Sequence, residues 1–325
     1  MKYIEDYRAS KILYNFLVSN KFKGKFILPA NVCPIVPFTF IQAKVNFCIV
    51  DISESDLCLD QDLTKKLISN SREEYAGIFF VRTYGVDKKF DYFFEALKKI
   101  NDQLIIIDDR CLAKPEPFLT HIYPADLVLF STGYAKYVDI GEGGFAFFDD
   151  RKGFFNYKKI KTNFVGKDEY LVLNDFKVFI ASDCQYTKKR EYLWLKNTSP
   201  SEDYIQKVEK CISHTVQHKK KLNTIYAEII PDQYLLQKDF WHWRFTILVP
   251  SEKKQYILEE LFSNQLFASS HYASLCHIFS NKRAPVAEKI HSSVINLFND
   301  RYYTEHQAVT TANIIKRILD ADDTI

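Results

Sequence analysis

The sequence predicts an α/β fold: a large domain on a mostly parallel sheet flanked by helices, then a smaller C-terminal α+β domain. Three observations carry this. Short apolar runs of strand length recur through the first half, alternating with amphipathic segments of helix length. Polar residues collect where those runs end, as at Asp108 and Asp109 after LIII and at Ser131 after LVLF. Beyond residue 231 the pattern changes to the β-rich FWHWRFTILVP, a strand of a second sheet.

In chain order, residues 4–19 read as a helix with Ile12, Leu13, Phe16 and Leu17 as its apolar stripe and Lys11 and Asn15 outside it. Residues 25–28 form a strand ending in PANVCP; a helix follows, then a strand over 45–50 closed by Asp51. The next helix carries Leu63, Leu67 and Ile68 on one face. A strand over 76–81 precedes a helix with Phe90, Phe93, Phe94 and Leu97 at the i, i+3, i+4, i+7 spacing of a buried face. Residues 104–107, 127–130 and 145–148 supply three more strands, the last following the glycines of 141–144. The basic run His218–Lys221 reads as the solvated face of a helix ending near Ile230. Ser251 reads as the N-cap of the next helix, and Thr304 and Gln307 form a capping box opening a last helix up to about Leu319. The expected division is 1–215 and 216–325, with 151–215 the least regular part. There is no internal repeat or low-complexity segment.

With 325 residues, 47% of them hydrophobic, the chain can bury two cores. Its 44 basic and 41 acidic residues leave a net charge of +3, a near balance that argues against a nucleic-acid or anionic-membrane specialist. The seven cysteines are odd in number and contain no Cys-x-x-Cys pair, so neither a disulfide framework nor a structural zinc site is expected. His271, Cys276 and His277 lack diagnostic metal-ligand spacing. The N-terminus MKYIEDYRAS has no apolar signal core and no apolar run reaches membrane-span length, so a cytoplasmic setting is the expectation.

Ligand sites of parallel sheets form beyond the carboxyl ends of strands. Asp109, Ser131 and Lys136 can therefore meet at one sheet edge, and a carboxylate, a hydroxyl and an amine there suit a charged, phosphorylated cofactor. Taken singly, Lys136 reads as a surface lysine, Asp109 as a turn residue and the glycines as an ordinary turn.

The segments IDDRCLA, FSTGYAK and GEGG, in that order, resemble the pyridoxal-phosphate (PLP) dependent aminotransferases of fold type I, in particular the DegT-type nucleotide-sugar aminotransferases. The resemblance implies that Asp109 pairs with the pyridine nitrogen and that Lys136 carries the cofactor covalently. The chemistry explains both: the ring draws electrons only while its nitrogen stays protonated, and the lysine must meet the aldehyde as a neutral amine before it can move the substrate's α-proton. Ser131 would donate to the phosphate. At the family's Ser-Gly-Thr phosphate turn this chain has Arg8-Ala9-Ser10, so Ala9 and Ser10 take that place without the glycine; Ser10 reads equally as a plain helix residue. The chain begins almost at this motif, so the family's usual N-terminal segment is expected to be missing. Cys33 stands where an aromatic stacks on the ring, and Leu112 where a glutamine meets the phenolic oxygen. Tyr84-Gly85 after its strand also matches the family, and His271-Tyr272 matches a pair near the sugar site, giving substrate-side candidates. Asn174, with Asn163 as rival, is the candidate to reach a partner subunit's phosphate.

The resemblance thus implies a homodimeric aminotransferase that moves an amino group from glutamate to a nucleotide-linked keto-sugar, for surface polysaccharide or antibiotic sugar synthesis. Lys136 argues against a dehydratase branch in which histidine replaces the lysine. The alternative is a silent homologue serving as a binding or assembly subunit, suggested by the absent glycine, Cys33, Leu112 and the short N-terminus.

Overall fold

The computed structural model describes residues 1–149, 156–161, 178 and 198–321. Seven strands form the main sheet: β1 (Lys2–Asp6), β2 (Lys25–Pro29), β3 (Phe47–Val50), β4 (Tyr75–Val81), β5 (Ile105–Asp109), β6 (Leu127–Ser131) and β7 (Gly144–Phe148). Their order is β1-β7-β6-β5-β4-β2-β3. The run from β3 to β6 is parallel, and β7 and β1 are added antiparallel at one edge. The central strands are apolar up to their carboxyl ends because helices cover the sheet. All of β4, YAGIFFV, is buried.

Helices α1 (Ala9–Ser19), α2 (Ile35–Gln42), α3 (Gln61–Asn70) and α4 (Asp91–Ile100) flank the sheet. The α4 pattern is confirmed: Phe90, Phe93 and Phe94 each pack on Phe80 of β4, with centroids 4.6, 5.8 and 5.1 Å away. The first helix is shorter than expected. Residues 2–6 extend instead along β7, where the antiparallel ladder offers their backbone more than an exposed helical turn would. Lys11 and Asn15, expected outside the helix stripe, are buried. Each is satisfied by a distant partner: Lys11 Nζ donates to Ile160 O at 2.8 Å, and Asn15 Nδ2 to the Tyr157 hydroxyl at 3.1 Å. Leu63, expected on the inner face of α3, is exposed, and Thr64 is buried in its place.

The second sheet is antiparallel, with β8 (Phe245–Leu248), β9 (Ala268–Ser269) and β10 (Val294–Leu297) in the order β8-β10-β9. Around it lie α5 (Tyr204–Ile229), α6 (Ser251–Ser263), α7 (Cys276–Phe279), α8 (Pro285–Ser293) and α9 (Glu305–Asp320). α5 passes through the expected boundary at 215. Its first turns put Tyr204 and Val208 into the core of the large sheet, and its last put Leu222 and Tyr226 into the small one. The capping box is present, with the Thr304 hydroxyl accepting from Gln307 N at 3.1 Å. Ser251 is the first helical residue of α6 and makes no capping bond. No described helix is long and apolar enough to cross a membrane.

At the end of β5, Asp108 is gripped by two arginines. Arg82 Nε and Nη2 each donate to it at 2.9 Å, and Arg110 Nε at 2.8 Å. Burial alone would raise its pKa, but the two guanidiniums overcome burial and hold it at about 2. A carboxylate depressed on folding stabilises the fold above its unfolded pKa and loses that contribution as pH falls through the folded value. Urea unfolding followed from pH 5 down to about 2 should therefore show on the order of 2 kcal/mol of acid-sensitive stability that Asp108→Asn removes. An equal pH slope in wild type and variant would show that Asp108 contributes none of it.

Candidate active site

The ends of β5 and β6 and the start of α1 converge through glycine contacts. In the β6–β7 ladder Ser131 lies opposite Gly144. A Cβ on Gly144 would come within 2.4 Å of Ala9 N and 2.6 Å of Ala9 Cα. That close approach sets the first turn of α1 beside Ser131. The first N–H groups of a helix lack intrahelical partners and favour anions. Ala9, Ser10 and Ser131 thus gather where a phosphate would be expected, and Ser131 is buried at the strand end. Its neighbour Thr132 is committed elsewhere: its hydroxyl donates to Glu142 O at 2.8 Å and shares a 2.7 Å hydrogen bond with the Tyr204 hydroxyl.

Lys136 follows β6 in a turn clipped by Asp139, whose Oδ2 accepts from Ala135 N at 2.8 Å and whose Oδ1 accepts from Gly141 N at 3.0 Å. Ala135 has a φ of 57°, a costly left-handed conformation for a residue with a Cβ. The turn is held from the other side by Trp243, whose indole Nε1 donates to Ala135 O at 2.8 Å. Among the described residues, the Lys136 amine makes no ion pair; its charge is felt by Asp109, Cys111 and His271. It also lines a cleft of about 160 Å³ with Tyr137, Asp139, His214 and Asp300.

Asp109 contrasts with Asp108 one residue away. It is equally buried, yet no arginine reaches it among the described residues. Oδ1 accepts from Cys111 N at 2.9 Å, and the Cys111 thiol is the other hydrogen-bonding neighbour. Burial raises its pKa, against the lowering effects of Cys111 and of the Lys136 charge. The sequence-predicted trio of Asp109, Ser131 and Lys136 is thus assembled at one end of the sheet. The expected departures lie close by: Cys33 is an electrostatic neighbour of Cys111 and Tyr272, and Leu112 is buried.

His271 and Tyr272 are brought to the same region by the loop after β9. Tyr272 stacks on Trp243 at 6.0 Å and on Tyr84 at 6.2 Å, while His271 meets Trp243 edge-on at 5.6 Å. The Tyr84 hydroxyl donates to His271 O and accepts from Tyr272 N at 3.2 Å. Burial, with the charges of Arg244 and Lys136, lowers the His271 pKa to about 4, so the ring is neutral at neutral pH. Asn174 and its rival Asn163 lie outside the described residues.

Four residues here were given no site role from sequence: Trp243, Arg244, Asp139 and Lys219. Lys219 belongs to the basic run expected to be solvated, but it is buried and donates to Trp243 O at 2.7 Å and Asn299 Oδ1 at 2.8 Å. Burial lowers its pKa to about 7. The only signal in the sequence was that Trp243 and Arg244 open the second sheet beside each other.

No model of a known protein family and no curated protein matches the chain. Solved structures do. PseC of Helicobacter pylori, an aminotransferase involved in the biosynthesis of pseudoaminic acid, superposes with a TM-score of 0.70 at 16% identity, over 99% of this chain and 87% of that one. A DegT DnrJ EryC1 StrS aminotransferase from Brucella abortus gives 0.70 at 13%, over 98% and 86%. A sugar aminotransferase of Streptococcus pneumoniae in its PMP form gives 0.71 at 14%, over 99% and 88%. The chain has the fold of the PLP-dependent aminotransferases of fold type I. The expected fold class is therefore confirmed, including its mostly parallel sheet.

An acid whose pKa is raised on folding destabilises the fold as pH rises through that pKa. Asp109→Asn should therefore stabilise the ligand-free protein at pH 7, by about 1 kcal/mol, and the gain should vanish below the ordinary carboxylate range. Thermal melts of both proteins at pH 7 and pH 3.5 test this; an asparagine variant that melts lower at pH 7 would refute the cost of burying the Asp109 charge.

Proposed function

We propose that the chain is a PLP-dependent aminotransferase that moves an amino group from glutamate to a nucleotide-linked keto-sugar, acting as a homodimer in the cytoplasm. The observation that carries this is the buried Asp109 carboxylate, free of any arginine among the described residues and facing the charge of Lys136. The donor set fits the cofactor. Asp109 suits a protonated ring nitrogen, Ser131 and the Ala9–Ser10 turn suit a phosphate, and Lys136 suits the covalent link. When bound, the cofactor supplies an electron sink beside the substrate's reacting carbon.

The protein's part follows from its own groups. Asp109, a buried carboxylate with no arginine partner among the described residues, would hold the protonated ring nitrogen through a charged hydrogen bond, and its negative charge would favour the proton staying there. Lys136 is the amine positioned to take the proton from the donor's α-carbon and to deliver it in the reverse half. The Asp139 clip and the Trp243 indole hold both backbone groups of Ala135, the residue before it, and so brace the turn from which the amine would reach the substrate. Tyr272, stacked between Tyr84 and Trp243, and His271 form the wall on which the sugar would lie. Asn174 remains the residue proposed to reach the partner subunit's phosphate. The solved structures of like fold include a sugar aminotransferase in its PMP form and an aminotransferase of pseudoaminic acid biosynthesis, which supports this substrate class. No observation favours the silent-homologue alternative.

Purified protein mixed with PLP should turn yellow, and borohydride should fix the cofactor mass on the peptide containing Lys136. Lys136→Ala should abolish the fixation, and Asp109→Asn should weaken cofactor binding by roughly ten- to a hundredfold, the loss of one charged hydrogen bond. Glutamate with a panel of nucleotide keto-sugars should then release 2-oxoglutarate. A colourless protein that ignores added PLP would end this reading.

A further inference from the structure

Lys219 is a buried amine that the proposed chemistry leaves idle. It stands in the middle of α5 and is only 3% exposed. Burying an amine is costly unless its hydrogen bonds are met. A methionine would fill much the same space without that cost, so the role of Lys219 lies in what its amine holds. Nζ donates to Trp243 O at 2.7 Å and to Asn299 Oδ1 at 2.8 Å. It also stands 5.1 Å from the centre of the Tyr137 ring. Burial disfavours its charge, Asp300 and Asp139 support the charge through space, and Arg244 opposes it. Each oxygen receives an N–H in either charge state, since a neutral amine keeps two.

The acceptors are themselves fixed. Asn299 Nδ2 donates to Asn223 Oδ1 at 2.9 Å, and Asn223 Nδ2 donates to Trp241 O at 2.9 Å. Asn223 lies one turn beyond Lys219 on the same face of α5. The helix thereby fastens the segment that enters β8 at two carbonyls, those of Trp241 and Trp243.

The chain of contacts continues to the candidate lysine. The Trp243 indole donates to Ala135 O, and Tyr137 carries the ring beside the Lys219 amine. Ala135 and Tyr137 are the two neighbours of Lys136. One side chain of α5 thus reaches both flanks of Lys136, directly on one side and through Trp243 on the other. The flank reached through Trp243 is the strained one. A φ of 57° at Ala135 persists only where the surroundings hold it. With that hold released, Ala135 relaxes and Lys136 moves with it.

We propose that Lys219 is a positioning residue for Lys136, bracing both sides of its turn from α5. This rests on the reading of Lys136 as the amine that carries the cofactor.

The test is hydrogen–deuterium exchange of the full chain, without added cofactor, in wild type and Lys219→Met. The Ala135 N–H is bonded to Asp139 Oδ2 and the Lys136 N–H to Gly133 O, so both report on the turn. Their protection should fall roughly tenfold, as when one buried hydrogen bond is lost, while Phe94 and Leu97 in α4 stay unchanged. Lys219→Arg, which keeps the donors, should restore most of the loss. Unchanged protection at 135 and 136 in a folded methionine variant overturns the proposal. So does an equal loss in α4, which would make Lys219 a general contributor to stability, and so does an arginine variant no better than methionine. If the methionine variant does not fold, Trp243→Phe keeps Lys219 and removes the indole bond, and unchanged protection at Ala135 there overturns the proposal. The second readout is the rate at which borohydride-fixable PLP accumulates on Lys136. It should fall by a similar factor in Lys219→Met, and a wild-type rate there overturns the proposal. A wild type that captures no PLP sinks the aminotransferase reading, while the exchange still decides whether Lys219 braces the turn.

Discussion

The chemistry available to this fold depends on how two adjacent buried acids are partnered. Asp108 and Asp109 end the same strand, and successive side chains on a strand point to opposite sides of the sheet. On one side Arg82 and Arg110 saturate Asp108 and turn it into a structural ion cluster. On the other, Cys111 is the only hydrogen-bonding neighbour of Asp109 among the described residues. Had either arginine faced the other way, the exchange would have neutralised the site's acid and left a bare carboxylate in the core. The strand pleat thus separates the acid that holds the sheet together from the acid kept for a ligand.

The second constraint is the joint between the two sheets. Trp243 leads into β8 but bonds to Ala135 in the turn that carries Lys136. Its own carbonyl is held by Lys219 from α5. Tyr84, from the loop after β4, reaches across to the backbone of His271 and Tyr272. A Cβ on Gly85, beside it, would fall 3.0 Å from Trp243 N, so the two elements meet at backbone distance. The candidate lysine and the aromatic wall therefore sit on one packed unit rather than on separate flexible loops. Packed elements of this kind fix positions to fractions of an ångström, which proton transfer between a side chain and a carbon requires.

What the sequence revealed, and what it concealed, follows from where each side chain finds its partner. Strands β4 to β7 were legible because both faces are covered, so the apolar runs are nearly unbroken. The trio of Asp109, Ser131 and Lys136 was legible because each lies just after such a run. The edge strand β1 was not: KYIED is short and polar, and it runs directly into a helical stripe. Lys219 was hidden in a run of four basic residues, where three neighbours give no hint that the fourth is buried against Trp243 and Asn299. Arg244 was hidden for a related reason. In FWHWRFTILVP it reads as one polar position in an alternating strand, and its lack of an acid can be seen only once Phe298, Ser269 and Asp300 are placed around it.

The missing glycine at the phosphate turn illustrates how a local departure is absorbed. The resemblance puts a glycine where this chain has Ala9, and a glycine there would let backbone and phosphate come close. In the structure the tight contact is made from the opposite side, by Gly144 against the backbone of Ala9. Gly144 belongs to the GEGG turn that the resemblance also contains, so this crossing does not depend on which small residue stands at 9. Alanine is the next smallest residue and suits the first turn of a helix better than glycine does. The start of α1 therefore stays against the end of β7, next to Ser131, and the anion-favouring end of the helix keeps its place. A larger side chain at 144 would push that helix end away from the strand, whereas the change at 9 leaves the crossing intact.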